Sequence, residues 1–278
     1  MDKFLSQRFD LNDDRYLAGH DELPLWSAPF GMMLLDTVQL GPKIKALDIG
    51  SGAGFPLLEL AQRLGDSCRV FGIDPWEPGL SLVNLKIKIL ELRNVSAIKG
   101  RAEHLPFENN SFDLIVSNNG INNIQDPERA LTECFRVSRP AAQMVITVNL
   151  PETMKEFYEV FERTLRGLGK DLEIKRMQEH IFHKRKPLSW TKALLQKAGF
   201  RIVETKIDSF KLRYLDGSTM FKHFLIRSSF LDPWKKVVAP EDLSQVFGLL
   251  EEDLNRIAQE KSELSLTIPM ACIDCRRD

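Results

Sequence analysis

The chain has 278 residues, 43% hydrophobic and 28% charged, an ordinary globular composition long enough for one domain with an insertion. It carries 38 Lys and Arg against 39 Asp and Glu, a net charge of -1, which excludes the overall basic field of most nucleic-acid binders. No apolar run approaches a membrane span, no secretory leader opens the chain, and 4 cysteines do not make a disulfide scaffold, so the expected location is the cytoplasm.

Residues 1–40 are expected to form an N-terminal helical segment. Its first part is polar with scattered aromatics, Phe4, Phe9, Tyr16 and Trp26. Ser27-Ala28-Pro29-Phe30 reads as a capped helix start, followed by apolar residues at Phe30, Met33, Leu34 and Val38. Gly41-Pro42 ends it.

Ile44 to Ile49 reads as a buried strand, followed by a turn with glycine at 50, 52 and 54 and a helix beginning near Pro56. Such a turn reaches positive φ and lets a ligand lie against bare backbone at a helix N-terminus. The spacing is wrong for a dinucleotide fingerprint, because Phe55 and Leu57 stand where the third glycine belongs, and no Walker lysine follows. Asp48, two residues before Gly50, would repel a pyrophosphate but suits a cationic ligand.

Leu47-Asp48-Ile49-Gly50-Ser51-Gly52-Ala53-Gly54 resembles the opening motif of the class I S-adenosylmethionine-dependent methyltransferases. The resemblance implies S-adenosylmethionine as cofactor, with Asp48, Gly50, Ser51, Gly52, Gly54 and Phe55 around its methionine end. Arg69 to Asp74 reads as the second strand, and an acid at that place reaches ribose hydroxyls. Pro75 and Trp76 are then implied to cover the adenine.

Gly79–Leu92 reads as a helix and Val95–Lys99 as the third strand. Gly100-Arg101-Ala102-Glu103-His104-Leu105-Pro106-Phe107 follows, where the family commonly has aspartate in place of Arg101. A guanidinium only donates, so either Glu103 supplies the acceptor or adenine is held by backbone and packing. His104 is a weak candidate base. Phe112–Ser117 is the fourth strand, and the cluster Asn118-Asn119-Gly120-Ile121-Asn122-Asn123 at its end is expected to face the transferred methyl, with Ser117, Asn118 and Asn119 at the cofactor and Asn119 and Asn122 as weak catalytic candidates. Asp126 caps the next helix with Pro127 at its first position. At 141–142 two alanines replace the family's usual glycine pair, and Met144–Asn149 is the fifth strand.

Leu150–Arg166 has a helical apolar period. The basic run His183-Lys184-Arg185-Lys186 reads as a solvated loop. Ser189-Trp190-Thr191 opens a helix that Gly199 stops, and Phe200 onward is the sixth strand. The core is placed at 41–215, a helical cap insertion at 216–262 and a final strand at 263–278. A homodimer surface is the alternative reading of the insertion. Cys272 and Cys275, three apart on a strand, point to opposite faces and cannot clamp one metal ion, so no metal is expected.

The expected fold is α/β: a Rossmann-like, seven-stranded, mostly parallel sheet with helices on both faces and a helical cap. The small-molecule, quinone-biosynthesis-like branch is the nearest in wording, which implies a small, partly apolar methyl acceptor and no nucleic-acid partner. The alternatives are a protein or RNA methyltransferase using the 183–187 run, or a non-catalytic S-adenosylmethionine-binding subunit.

Overall fold

A computed structural model describes Leu5 and residues 24–278. Phe4, Phe9 and Tyr16 lie outside the described residues. The strands are β1 (Lys45–Ile49), β2 (Arg69–Asp74), β3 (Val95–Lys99), β4 (Phe112–Asn118), β5 (Ser138–Asn149), β6 (Phe200–Tyr214) and β7 (Leu264–Arg277). The principal helices are α1 (Pro24–Thr37), α2 (Leu57–Leu64), α3 (Glu77–Ile89), α4 (Pro127–Val137), α5 (Lys155–Gly167), α6 (Asp171–Lys184), α7 (Leu188–Lys197), α8 (Gly217–Lys222), α9 (Leu231–Lys235) and α10 (Leu243–Lys261).

Among the described residues the strands form one 7-stranded sheet in the order β3-β2-β1-β4-β5-β7-β6. β1 pairs in parallel with β2 and β4, β2 with β3, and β4 with β5, while β7 runs antiparallel to β5. This is the Rossmann-like, mostly parallel sheet the sequence implies. Strand order reverses between β1 and β4, and a crevice opens at the carboxyl ends there.

The chain divides into two compact units. One comprises Pro24–Asn149, Lys186–Asp208 and Met270–Asp278. In it the two-residue period of each strand sorts side chains between two layers. Ala46, Leu114, Val116, Val145 and Cys272 pack with Leu34 and Val38 of α1, Leu57 and Leu60 of α2, and Val83 of α3. Leu47, Ile49, Ile115, Met144, Ile146 and Cys275 pack on the other face with Leu131 and Cys134 of α4 and Leu195 of α7. Cys272 and Cys275 therefore sit on opposite faces, as their spacing dictates. Burial pushes their thiols up to about 11 and about 12 respectively.

α1 begins at Pro24 rather than at the expected Ser27, so Pro29 lies inside the helix. A proline at the first position loses only an N–H that has no helical partner, and Pro24 takes that place. α4 starts as expected: the Asp126 carboxylate accepts from the Arg129 amide at 3.0 Å, with Pro127 in the first turn.

The second unit contains Leu150–Arg185 and Ser209–Pro269. Helices α5, α8, α9 and α10 bring together an aromatic core. Phe157 stacks on Trp234 with centroids 3.9 Å apart, and Phe161 and Phe221 each pack against Phe247. The helices of 216–262 thus share their unit with 150–185. The basic run corrects the sequence reading. α6 continues through Lys184, and Arg185 just beyond it is only 3% exposed, so this side chain is interior rather than solvated. No helix among the described residues is long and apolar enough to cross a membrane.

Candidate functional site

The glycine turn is built by its own backbone. Gly50, Gly52 and Gly54 take φ of 76°, 50° and 107°, a region that side chains disfavour. The Gly50 amide donates to the Ile73 carbonyl at 2.9 Å, which ties the turn to β2. A Cβ on Gly52 would meet nothing within 4 Å, so this peptide faces open space.

Asp74 closes the other side. One carboxylate oxygen accepts from the Gly52 amide at 2.9 Å and the other from the Trp76 amide at 2.8 Å. The side chain is therefore locked before any ligand arrives. Each oxygen keeps accepting capacity for a second donor.

A cavity of about 300 Å³ lies here, at the small end of ligand sites. It brings together six residues expected from the sequence: Gly50, Asp74, Pro75, Arg101, Ala102 and Glu103. Asp48, Ser51, Gly52, Gly54, Phe55, Trp76, Ser117, Asn118 and Asn119 do not line it. Asn123, from the asparagine cluster expected there, does, as do Ile124 and Gln125, which the sequence reading missed. The one signal was their place just after the fourth strand.

Arg101 is not a lone cation at the adenine position. Its Nη2 donates to Glu103 Oε1 at 3.2 Å and to Gln125 Oε1 at 2.9 Å. Burial would raise the Glu103 carboxyl. The backbone amides of Glu103 and Asp126 and the Arg101 guanidinium outweigh it and hold the group below the usual carboxylate range. The charge is thus matched inside the wall. His104 is exposed, with Nδ1 3.2 Å from Arg129 Nη2, and it does not line the cavity.

The asparagines beyond β4 form a network with β5. Asn119 adopts φ 58° and its amide donates to the Thr147 carbonyl at 3.0 Å. Asn122 Nδ2 donates to Asn119 Oδ1 at 2.6 Å and also to Asn149 Oδ1. Thr147 Oγ1 donates to Asn118 Oδ1 at 2.8 Å, and Asn118 Nδ2 donates to the Ser27 carbonyl of α1 at 3.0 Å. Ser117 is fully buried, its hydroxyl donating to the Ile49 carbonyl at 2.8 Å. These neutral amides position groups and exclude charge. They offer no base.

Asp48 is fully buried below the turn, and neither carboxyl oxygen has a hydrogen-bond partner. Burial, reinforced by like charge on Asp74, pushes its carboxyl up to about 8, and the nearby Leu57 amide opposes this only in part. The Ser51 hydroxyl is also buried without a partner. This pair of polar side chains under the turn is electrostatically unsettled in the absence of a ligand.

The residues present fit S-adenosylmethionine: a fixed acid for a diol, bare peptide for a close approach, and a buried acid beneath a cation's place. Comparison with known proteins agrees. Residues 47–146 match the family model described as "Methyltransferase domain". Demethylmenaquinone methyltransferase of Bacillus mycoides (strain KBAB4) is 34% identical over 116 residues, 42% of this chain and 49% of that protein. The chain spans about half the length of the curated relatives it matches. Among solved structures, the YcgJ protein from Bacillus subtilis superposes with a TM-score of 0.57 at 16% identity, over 89% of this chain and 97% of that one. A putative methyltransferase from Bacillus halodurans C-125 gives 0.57 at 17% identity, over 89% and 98%. At those identities the structures share the fold. Residues 47–146 are thus similar to a methyltransferase domain, and the curated relatives they align with are demethylmenaquinone methyltransferases.

Proposed function

We propose that the chain transfers a methyl group from S-adenosylmethionine to a small, partly apolar acceptor by in-line SN2 displacement. The observation that carries this is the Asp74 carboxylate, held by the Gly52 and Trp76 backbone amides at the edge of the open glycine turn. The bound cofactor supplies an electrophilic methyl on a sulfonium, and its leaving group is a neutral thioether that needs no proton.

The protein's part is alignment and dehydration. Asp74 accepts from the ribose hydroxyls. Gly50, Ser51, Gly52, Gly54 and Phe55 hold the methionine end, with Asp48 below them. A cation bound above Asp48 lowers its pKa again and draws out the carboxylate. Pro75 and Trp76 flank the adenine, while Ala102 and Glu103 meet its edge beside the Arg101–Gln125 pair. Ser117, Asn118 and Asn119 stand at the methyl, and Asn119 and Asn122 orient the acceptor. His104, tied to Arg129 outside the cavity, is the weaker choice for taking a proton.

The relatives named for demethylmenaquinone support an apolar ring acceptor. A cytoplasmic location goes with this reading; no helix among the described residues is long and apolar enough to cross a membrane. The interior position of Arg185 removes one cation from the run on which an RNA or protein substrate would depend. Purified protein, S-adenosylmethionine and a reduced unmethylated naphthoquinone should yield S-adenosylhomocysteine and a methylated ring. Absence of cofactor binding overturns the cofactor reading. Binding without turnover on any small acceptor overturns the enzyme reading.

A further inference from the structure

Among the described residues, Arg185 is an interior cation with no anion. It is 3% exposed, and among the described residues no carboxylate pairs with it. Nη1 donates to the Tyr158 hydroxyl at 3.1 Å, the guanidinium lies 5.2 Å from the Tyr158 ring centroid, and Nε has no partner. A guanidinium buried this way carries a heavy desolvation penalty. The C-terminal end of α6 offsets part of its charge but gives Nε no acceptor.

The hydroxyl beside it is equally one-sided. Tyr158 is 6% exposed, and its oxygen accepts from Arg185 Nη1 and from Trp234 Nε1 at 2.9 Å. Both lone pairs are then taken, so the phenolic proton is left to donate, and no acceptor among the described residues receives it. Uncommitted donors converge with no acceptor among them. The titratable neighbours do not supply one either. His180 is pushed down to about 4 by burial, then by the positive charges of Arg185, Lys184 and His183.

We propose that Arg185 and Tyr158 form a binding site for the carboxylate of a small organic acid. With Nη1 engaged, the uncommitted edge of the guanidinium is the buried Nε–Nη2 side. Its parallel N–H bonds match the two oxygens of a planar carboxylate. The Tyr158 hydroxyl adds a third donor. One fork and one hydroxyl suit a planar monoanion better than a tetrahedral phosphate dianion. The stacked Phe157 and Trp234 rings next to the hydroxyl favour an acid with an apolar body. This site lies wholly in the helical unit and does not depend on the cofactor reading.

The test is calorimetric titration of the full chain, without cofactor, with benzoate, and with inorganic phosphate and chloride at matched ionic strength. Benzoate should bind saturably and at least tenfold more tightly than phosphate. Arg185→Met should weaken benzoate at least tenfold, Arg185→Lys should not restore it, and Tyr158→Phe should weaken it several-fold. Arg185→Met should also melt no lower than the ligand-free parent, because it removes an uncompensated buried charge. Benzoate heats like those of chloride in the parent protein overturn the proposal. So does an Arg185→Met variant that binds benzoate as the parent does.

Discussion

The Asp74 carboxylate accepts from the Gly52 backbone amide at 2.9 Å, joining the end of β2 to the turn after β1. The bond sets the acid at the height of the turn, where a ribose would lie. Asp74→Ala removes the latch and, on the proposed reading, the diol acceptor. Affinity for S-adenosylmethionine should fall tenfold or more, about 1.5–3 kcal/mol for a charged hydrogen-bond acceptor. Calorimetry reads this directly, and unchanged affinity would remove Asp74 from the site.

Two glycines near the turn should respond differently. A Cβ on Gly120 would fall 2.7 Å from both the Ile49 carbonyl oxygen and the Ser117 hydroxyl, so the backbone must move. Gly120→Ala should lower stability by about 1–3 kcal/mol and weaken the cofactor as well. Gly52→Ala meets open space but sits at φ 50°. It should cost about 1–2 kcal/mol in conformation and lose cofactor affinity out of proportion to that. Thermal melts set beside titrations separate the two patterns.

Ala141 keeps φ 65°, although alanine lacks glycine's freedom there. Ala141→Gly should therefore stabilise the fold by roughly 1 kcal/mol, net of glycine's greater unfolded-state entropy. A rise of a few degrees in Tm, with cofactor affinity unchanged, is the expected result. A fall would show that the turn is not strained.

Asp48 gives the unliganded protein a pH-dependent stability. Its carboxyl moves from 3.8 to about 8 on folding, chiefly through burial. Between those values the folded chain holds a proton that the unfolded chain has released. The group's contribution is full below 3.8 and drains away as pH climbs through about 8. Asp48→Asn removes that dependence. Melting temperatures from pH 5 to 8.5 should decline less steeply in the variant, which should be the more stable protein at pH 8.5. The margin is on the order of a few kcal/mol. Parallel curves would show that Asp48 does not titrate with folding.

The glycine turn and the β2 acid were legible because each is a local pattern: bare peptides at fixed spacing, and an acid closing an apolar run. The seven-stranded, mostly parallel sheet followed from the same wording. What stayed hidden depends on partners far apart in sequence. Thr147 and Asn149 meet the asparagines of 118–122 only because β5 lies beside β4. Arg101 looked like an intruder until Gln125, from the turn before α4, closed on it. Arg185 sat in a run of cations that a one-dimensional reading assigns to solvent, and only the packing of α5 and α9 places Tyr158 and Trp234 together beside it. The start of α1 was misplaced because two prolines compete for the first turn and spacing does not rank them.

Titration of the purified chain with S-adenosylmethionine tests the central claim most directly. One saturable site, with a matching rise in melting temperature that Asp74→Ala abolishes, is the predicted result. No heat and no thermal shift at millimolar ligand would contradict it.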